Sequence, residues 1–240
     1  MKIAVIGGGI GGLAAGYTLS KNGHVVNLYE KAPFLGGLAS TIDIGEGKLE
    51  RFYHHLFLSD NTIIDLLHEL GLDDNLIWNA TKTGWFYNGR IYPFTTPIDL
   101  LRFSPIGFLD RLRMGLLTIY LQRIKNWKRL ENVTAANFMR KWAGKKNYEV
   151  LWGPLLKGKF TTYHEEIGMP WLWSKFATRV SSRDKGYKEK LGYIKGSWGI
   201  LIDALADTIK KNGHIYMNTP ITRILTESNK AIGVVASDAD

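Results

Sequence analysis

Three glycines spaced Gly7-x-Gly9-x-x-Gly12, an acid at Glu30 and a glycine pair at Gly36-Gly37 are the residues of this sequence whose types and spacing can do chemistry. Their chemistry is the holding of a phosphorylated ligand. Gly7 suits a tight turn, Gly9 lets backbone approach a pyrophosphate, and Gly12 lets a helix pack closely on a strand. The loop Gly7, Gly9, Ile10, Gly11 and Gly12 opens a helix whose first N–H groups have no partner within the helix, and whose dipole favours an anion. Glu30 lies eighteen residues beyond Gly12, where an acceptor for ribose hydroxyls belongs. An acid at this place, rather than an arginine, favours a ribose without a 2′-phosphate and makes NADP an unsuitable ligand.

The elements that must position these residues are legible around them. Lys2 to Ile6 is a short apolar run with the pattern of a buried parallel strand. Leu13 to Leu19 carries helical spacing, Gly23 stops that helix, and Val25 to Tyr29 forms a second strand that ends at Glu30. The result is a βαβ unit with its glycines at the first strand-to-helix turn, and hence an α/β chain with a Rossmann-like domain.

After Glu30 the chain runs Lys31-Ala-Pro-Phe-Leu-Gly36-Gly37-Leu38-Ala-Ser40-Thr41. With these residues it resembles the superfamily of FAD-dependent amine oxidases, protoporphyrinogen oxidases and carotenoid desaturases. The resemblance implies FAD as cofactor, bound through the glycine loop, Glu30, Lys31, Gly36, Gly37, Leu38 and Ser40. Arginine commonly follows the glycine pair in that family; Leu38 here removes one polar contact to the phosphates. In the family, the residue corresponding to Ile221 offers backbone groups to the adenine.

Composition narrows the classes further. The 240 residues are 45% hydrophobic and 12% aromatic, values of a globular chain with a sizeable core. No cysteine occurs, which excludes disulfides, thiolate catalysis and cysteine-ligated metals. A strand beginning at residue 2 leaves no room for a leader peptide, and no apolar run approaches the ~20 residues of a membrane span. A cytoplasmic protein is the expectation, with attachment to a membrane surface left open.

The net charge of +9 is uneven: residues 100–190 hold 19 Lys and Arg against 7 Asp and Glu, or +12, leaving −3 for the remainder. Five of the eight tryptophans lie in the same basic part. The expected organisation is a Rossmann-like portion over 1–75, a mainly helical substrate-domain insertion over 76–192, and a return to the cofactor domain over 193–240. The charge of the insertion has a simple reading as solvated helix surface and a second as a basic amphipathic surface resting on anionic lipid. No nucleic-acid module is present, so nucleic acid is not an expected partner.

Between these parts, Ile42 to Leu49 is a predicted hairpin turning at Gly45-Glu-Gly47. His54 and His55 stand beside Tyr53 and Phe57. Adjacent residues of an extended segment point to opposite faces, so the two cannot share one metal, and no metal site is expected. The family resemblance makes one of the two a candidate flavin neighbour, with His55 as the chosen residue; packing on the aromatics is the simpler role. Asn61 to Leu70 is a predicted helix, Trp85 to Tyr92 a hairpin with an Asn88-Gly89 turn. Pro97 and Pro105 are expected to open helices, and Phe108 to Trp127 to form one with the apolar set Leu109, Leu112, Leu116, Leu117, Tyr120, Leu121 and Ile124. Leu151 to Phe160 resembles the protoporphyrinogen-oxidase branch, and Gly196 to Val234 the family's return to its cofactor domain.

Family members run on for roughly another domain's length and close with a Gly-Asp segment near the flavin, so this sequence is expected to be their N-terminal portion. The function implied by resemblance is that of an FAD-dependent oxidoreductase removing hydride from an apolar or partly apolar small molecule, such as an amine, a porphyrinogen or an isoprenoid. The flavin carries the chemistry while the protein orients substrate and excludes water. Two alternatives stand beside it: a flavin-dependent sugar mutase with no net redox turnover, and an inactive cofactor-binding remnant. Substrate identity, electron acceptor, catalytic residues and oligomeric state are not legible.

Overall fold

Strand β1 (Lys2–Ile6) leads through the glycine turn into helix α1 (Ile10–Lys21), which returns the chain to strand β2 (Val25–Tyr29). The two strands pair in parallel from Lys2–Val25 to Ile6–Tyr29. Helix α1 ends where Gly23, at φ +77°, turns the chain so that His24 N can donate to Leu19 O. The computed structural model describes residues 1–181 and 189–237. The parts of the insertion and of the C-terminal stretch expected at 182–188 and 238–240 lie outside those residues.

From β2 the chain forms the hairpin β3 (Thr41–Ile44) and β4 (Gly47–Glu50), then helix α2 (Asn61–Glu69) and strand β5 (Leu76–Ala80). A second hairpin, β6 (Gly84–Tyr87) and β7 (Arg90–Pro93), turns on Asn88 and Gly89, both at positive φ as the two-residue turn demands. Helices α3 (Pro97–Arg102), α4 (Phe108–Arg123) and α5 (Ala135–Trp142) follow. A helical run then passes from α6 (Lys145–Asn147) through a π turn at Tyr148–Trp152 into α7 (Gly153–Phe160). Pro154 has no N–H to offer Val150 O, and the wider turn ahead of it accommodates that loss. Helix α8 (Met169–Ser181), strand β8 (Lys190–Ile194), helix α9 (Gly199–Lys210), strand β9 (His214–Tyr216) and the hairpin β10 (Ile221–Glu227) and β11 (Lys230–Ala236) complete the order.

The chain divides into two compact units. One comprises residues 1–55, 61–77 and 193–240; the other comprises 56–60 and 78–192. These limits differ slightly from those read in the sequence. Residues 56–60 group with the insertion because Leu56 and Gly192 exchange both backbone hydrogen bonds, at 2.8 Å each.

The first unit is built on a three-stranded parallel sheet in the order β1-β2-β9. Its buried face carries Val26 and Leu28, both fully buried, and is covered by α1 and α9, where Leu13, Leu201, Leu205 and Ile209 are also fully buried. The alternate residues of β1 are exposed, Ile6 to 49%, so this strand is covered on one face rather than both as the apolar run suggested. The helices α1 and α9 pack side by side over that one face, which alternation of buried and exposed residues along β1 reflects.

The second unit has its core among α4, α5, α7 and α8, around Leu121, Met139, Leu156, Met169 and Leu172. A smaller cluster of Phe103, Ile106, Val150 and Leu151 packs against the β6–β7 hairpin. Thr96 and Asp99 form a capping box at the start of α3. Pro105 does not open a helix: it lies in a turn that sends Phe103 and Ile106 into the core, and Gly107 O receives Arg111 N to begin α4. Nor does α4 reach Trp127. It ends at Arg123, because the Asn126 side chain accepts from Lys128 N and starts a separate 3₁₀ turn.

The glycine loop provides an internal contrast. A Cβ at Gly12 would sit 1.8 Å from Gly7 O, whereas one at Gly11 would meet nothing within 4 Å. Gly12→Ala is expected to destabilise the chain by about 1–3 kcal/mol or more through forced backbone displacement. Gly11→Ala should be neutral or stabilising by up to about 1 kcal/mol. Denaturant unfolding of the two variants measures the difference.

Candidate functional site

The candidate site is the place where the β1–α1 turn, the end of β2 and the Gly36-Gly37 loop meet. Gly7, at φ +99°, turns the backbone out of β1 while its N–H donates to Tyr29 O at 2.7 Å. The next residue reaches sideways. Gly8 N donates to Glu30 Oε2 at 2.5 Å, and Gly8 O accepts from Gly36 N at 2.8 Å. Gly9 pairs with Gly36 in a parallel bridge, and a Cβ on Gly37 would stand 3.2 Å from Gly9 Cα. Backbone therefore lies close to backbone: a Cβ on Gly37 would press on Gly9, whereas one on Gly9 would stand 4.0 Å from Gly37 Cα, an ordinary contact.

Helix α1 starts at this point with Gly9 as its cap residue and no side-chain oxygen bonded to its first N–H groups. The N–H groups of Ile10, Gly11 and Gly12 belong to the first turn, whose donors have no partner within a helix. Glu30 closes the other side. Its Oε1 accepts from Ala32 N at 2.8 Å, so each oxygen takes one backbone N–H and keeps further lone-pair capacity.

The segment after β9 runs along the same edge. Glu30 N donates to Tyr216 O, Thr219 N to Glu30 O, and Asn218 N to Ala32 O, at 2.8, 2.9 and 3.2 Å. Ile221 begins β10 two residues later and is partly buried. Lys31 is exposed, as is Leu38 at 68%. Ser40 is buried, and its Oγ has no hydrogen-bond partner among the described residues. An unpartnered buried hydroxyl, a glycine-on-glycine cradle and a half-used carboxylate are together the donor and acceptor set that a dinucleotide requires.

The histidines occupy ring contacts. His55 stacks on Tyr53 with centroids 6.0 Å apart, and His54 packs on Trp198 at 5.3 Å while its Nδ1 lies 2.6 Å from Phe52 O. Among the described residues, no three His, Asp or Glu side chains converge to hold a metal.

A second constellation escaped the sequence. Glu50, at the end of β4 and 6% exposed, accepts from Tyr193 OH at 2.9 and 3.1 Å and from Trp198 N at 2.9 Å. Ser40 O accepts from Arg51 N, and a Cβ on Gly199 would lie 3.3 Å from Thr41 Oγ1, so this corner abuts the end of the Gly36–Ser40 loop. Ser197 sits at φ +92°, an uncommon conformation for a residue with a side chain, with its Oγ accepting from Gly199 N. The only sequence signal was an acid ending a short strand; its partner is 143 residues away. Burial, and then the neighbouring Glu50, push the Tyr193 phenol up to about 12.

Tyr193→Phe leaves one of the carboxylate's bonds unmade and is expected to cost about 1–3 kcal/mol at neutral pH. A raised folded-state value means that wild-type stability from this phenol is complete below its ordinary value of 10 and is lost as pH rises toward about 12. The phenylalanine variant should lack that alkaline loss. Urea unfolding of both proteins between pH 8 and 11 compares them.

With this geometry in place, the likeness to other proteins has a structural meaning. Residues 10–240 match the family model of flavin-containing amine oxidoreductases. A probable zeta-carotene desaturase from Synechococcus elongatus is 27% identical over 179 residues, covering 65% of this chain and 37% of its own. An oxidoreductase from Methanosarcina mazei superposes at a TM-score of 0.69 with 20% identity, over 100% of this chain and 56% of its own. A putative protoporphyrinogen oxidase from Exiguobacterium gives 0.68 and 19%, over 99% and 58%. The chain thus spans little more than half of these solved chains and less of the desaturase. The family match begins at Ile10, just after Gly7 to Gly9, and takes in Glu30, the Gly36-Gly37 pair and the rest of the chain, which belongs to the flavin-containing amine oxidoreductase family.

Proposed function

We propose that this chain holds FAD and serves an oxidoreductase that removes hydride from an apolar or partly apolar small molecule. The observation that carries the reading is the Glu30 carboxylate fixed between Gly8 N and Ala32 N beside the Gly9–Gly37 backbone contact. In this reading the first-turn N–H groups of α1 receive the pyrophosphate, and Glu30 receives the ribose hydroxyls. Gly36, Gly37 and the buried Ser40 hydroxyl line the continuation of the cofactor, with Lys31 and Leu38 at its exposed margin. Ile221 presents backbone, for which its side chain is immaterial, and His55 flanks the ring-bearing end through its place on Tyr53.

When bound, the flavin accepts the hydride; the chain's residues bind, orient and keep water away. Two features support an apolar substrate. The desaturase relative acts, by its name, on a carotene. Within the insertion unit, Trp85, Phe86, Pro154 and Leu155 form a shallow, mostly apolar surface patch beside Lys159.

Glu30→Ala is expected to weaken FAD binding by about 1.5–3 kcal/mol, the scale of hydrogen bonds to a charged group. Flavin fluorescence titration of the purified protein measures it, and equal affinity of the variant would place the ribose elsewhere. With FAD bound and oxygen excluded, bleaching of the flavin absorbance by a polyene, a porphyrinogen or an amine is the expected result. A flavin that stays oxidised with all three classes sets hydride removal aside.

A further inference from the structure

Helix α4 has two apolar faces. Met114, Leu117 and Leu121 are buried in the core of the insertion unit. On the opposite side, Phe108, Leu109, Leu112, Leu116, Ile119 and Tyr120 are exposed, Leu109 to 79% and Leu116 to 70%. At 3.6 residues per turn these six fall on one contiguous strip of about 120°. No polar residue interrupts the strip until Arg123 at its end. The preceding helix α3 adds Ile98 and Leu101, exposed to 57% and 46%.

The cations are placed around this strip. Arg111 and Arg113 stand on its two flanks, Arg102 lies at the end of α3, and Lys125, Lys128 and Arg129 follow Arg123. Residues 97–131 contain seven Lys and Arg against three Asp and Glu. One of those acids, Asp99, is bound to the N–H groups of Thr95 and Thr96. Among the described residues no helix is long and apolar enough to cross a membrane. An apolar face of this width with a cationic border is the pattern of a helix that lies in a lipid interface.

We propose that the exposed face of α4 is a membrane-docking surface, with anionic phospholipid as its partner. Leu109, Leu112 and Leu116 enter the acyl boundary to a depth of about 5–10 Å. Arg123 meets the headgroup phosphates, while Arg111 and Arg113, whose guanidinium groups donate to the carbonyls of Leu101 and Gly107 and of Lys141 and Trp142, add positive charge at the border. The surface lies wholly within the insertion unit and does not depend on a bound cofactor. It turns the general basic charge of the insertion into a defined site.

The test is co-sedimentation of the protein, with and without FAD, on phosphatidylcholine vesicles and on vesicles containing one-third phosphatidylglycerol. Binding should rise with anionic lipid and fall as salt shortens the screening length to ~10 Å at 0.1 M. Leu109→Ser combined with Leu116→Ser removes only exposed side chains and should weaken partition about tenfold or more, with far-UV dichroism unchanged. Arg123→Gln should lower binding to anionic vesicles and leave neutral ones unaffected. Because the chain has no cysteine, Leu116→Cys carrying an environment-sensitive dye gives a second readout: its emission should shift blue on anionic vesicles and be quenched by lipid-borne spin labels. Equal recovery on neutral and anionic vesicles overturns the proposal, as does unchanged binding of the serine variant. So does a dye left in water on vesicles, or buried without them in an oligomer that the serine variant dissociates.

Discussion

The contact on which the first unit depends is backbone against backbone, where Gly9 meets Gly36 and Gly37. It ties the turn after β1 to a loop almost thirty residues later, and Glu30 fastens the joint from the side by accepting from Gly8 N and Ala32 N. A Cβ on Gly37 would press the two segments apart and one on Gly36 would run into Ile202 and Ser40, whereas one on Gly9 would find room. The same closeness recurs at Gly12 and at Gly213, where a Cβ would stand 2.1 Å from Val26 O. The parallel sheet can therefore keep α1 and α9 tight against Val26 and Leu28, and it leaves the first turn of α1 facing outward with its donors unspent. The candidate site and the sheet are two consequences of one packing constraint.

A buried carboxylate plays a corresponding part just beyond the Gly36–Ser40 loop. Glu50 binds the hydroxyl of Tyr193 and the backbone of Trp198, joining the β3–β4 hairpin to the point where the chain returns from its insertion. A buried carboxylate held by two donors, the Tyr193 hydroxyl and Trp198 N–H, is costly to disturb, since each donor lost leaves part of it unsolvated. That requirement sets where β8 hands over to α9, and with it the position of Ile202, whose Cδ1 would meet a Cβ on Gly36 at 2.3 Å. The constraint reaches the glycine pair through packing, with no ligand involved.

The insertion unit is held differently. Its core is aliphatic and aromatic, with one exposed bidentate pair, Arg140 to Glu165 at 2.7 and 2.5 Å, also reached by Tyr148 OH. The Arg140 hydrogen bond, followed by that of Tyr148, holds the Glu165 carboxyl below its ordinary value. Such exposed pairs contribute little to stability, so the unit rests on burial. The same unit also leaves apolar side chains of α4 exposed, Leu109 and Leu116 among them.

The local features were legible in the sequence for a physical reason. The strand, turn, helix and strand of the first 30 residues are specified by neighbours, and β1 and β2 have the boundaries that their apolar runs and glycines predict. The Asn88-Gly89 hairpin and the stop at Gly23 follow from backbone conformations that few other residues adopt. What the sequence could not decide is which surface faces which. Every apolar residue of α4 has helical spacing, but a helix apolar on both sides gives periodicity no means to choose, and of one apolar set Leu117 and Leu121 are buried while Leu109 and Leu116 are exposed. Pro105 is as compatible with a turn as with a helix start until Phe103 and Ile106 find their partners. Glu50 and Tyr193 meet across 143 residues, and no local pattern anticipates a hydrogen bond made only when the chain returns from its excursion. The sequence by itself determined the dinucleotide-type turn and its acid, because backbone sterics act between near neighbours; the tertiary structure decided the buried carboxylate and the outward face of α4, because burial is a property of the assembled chain.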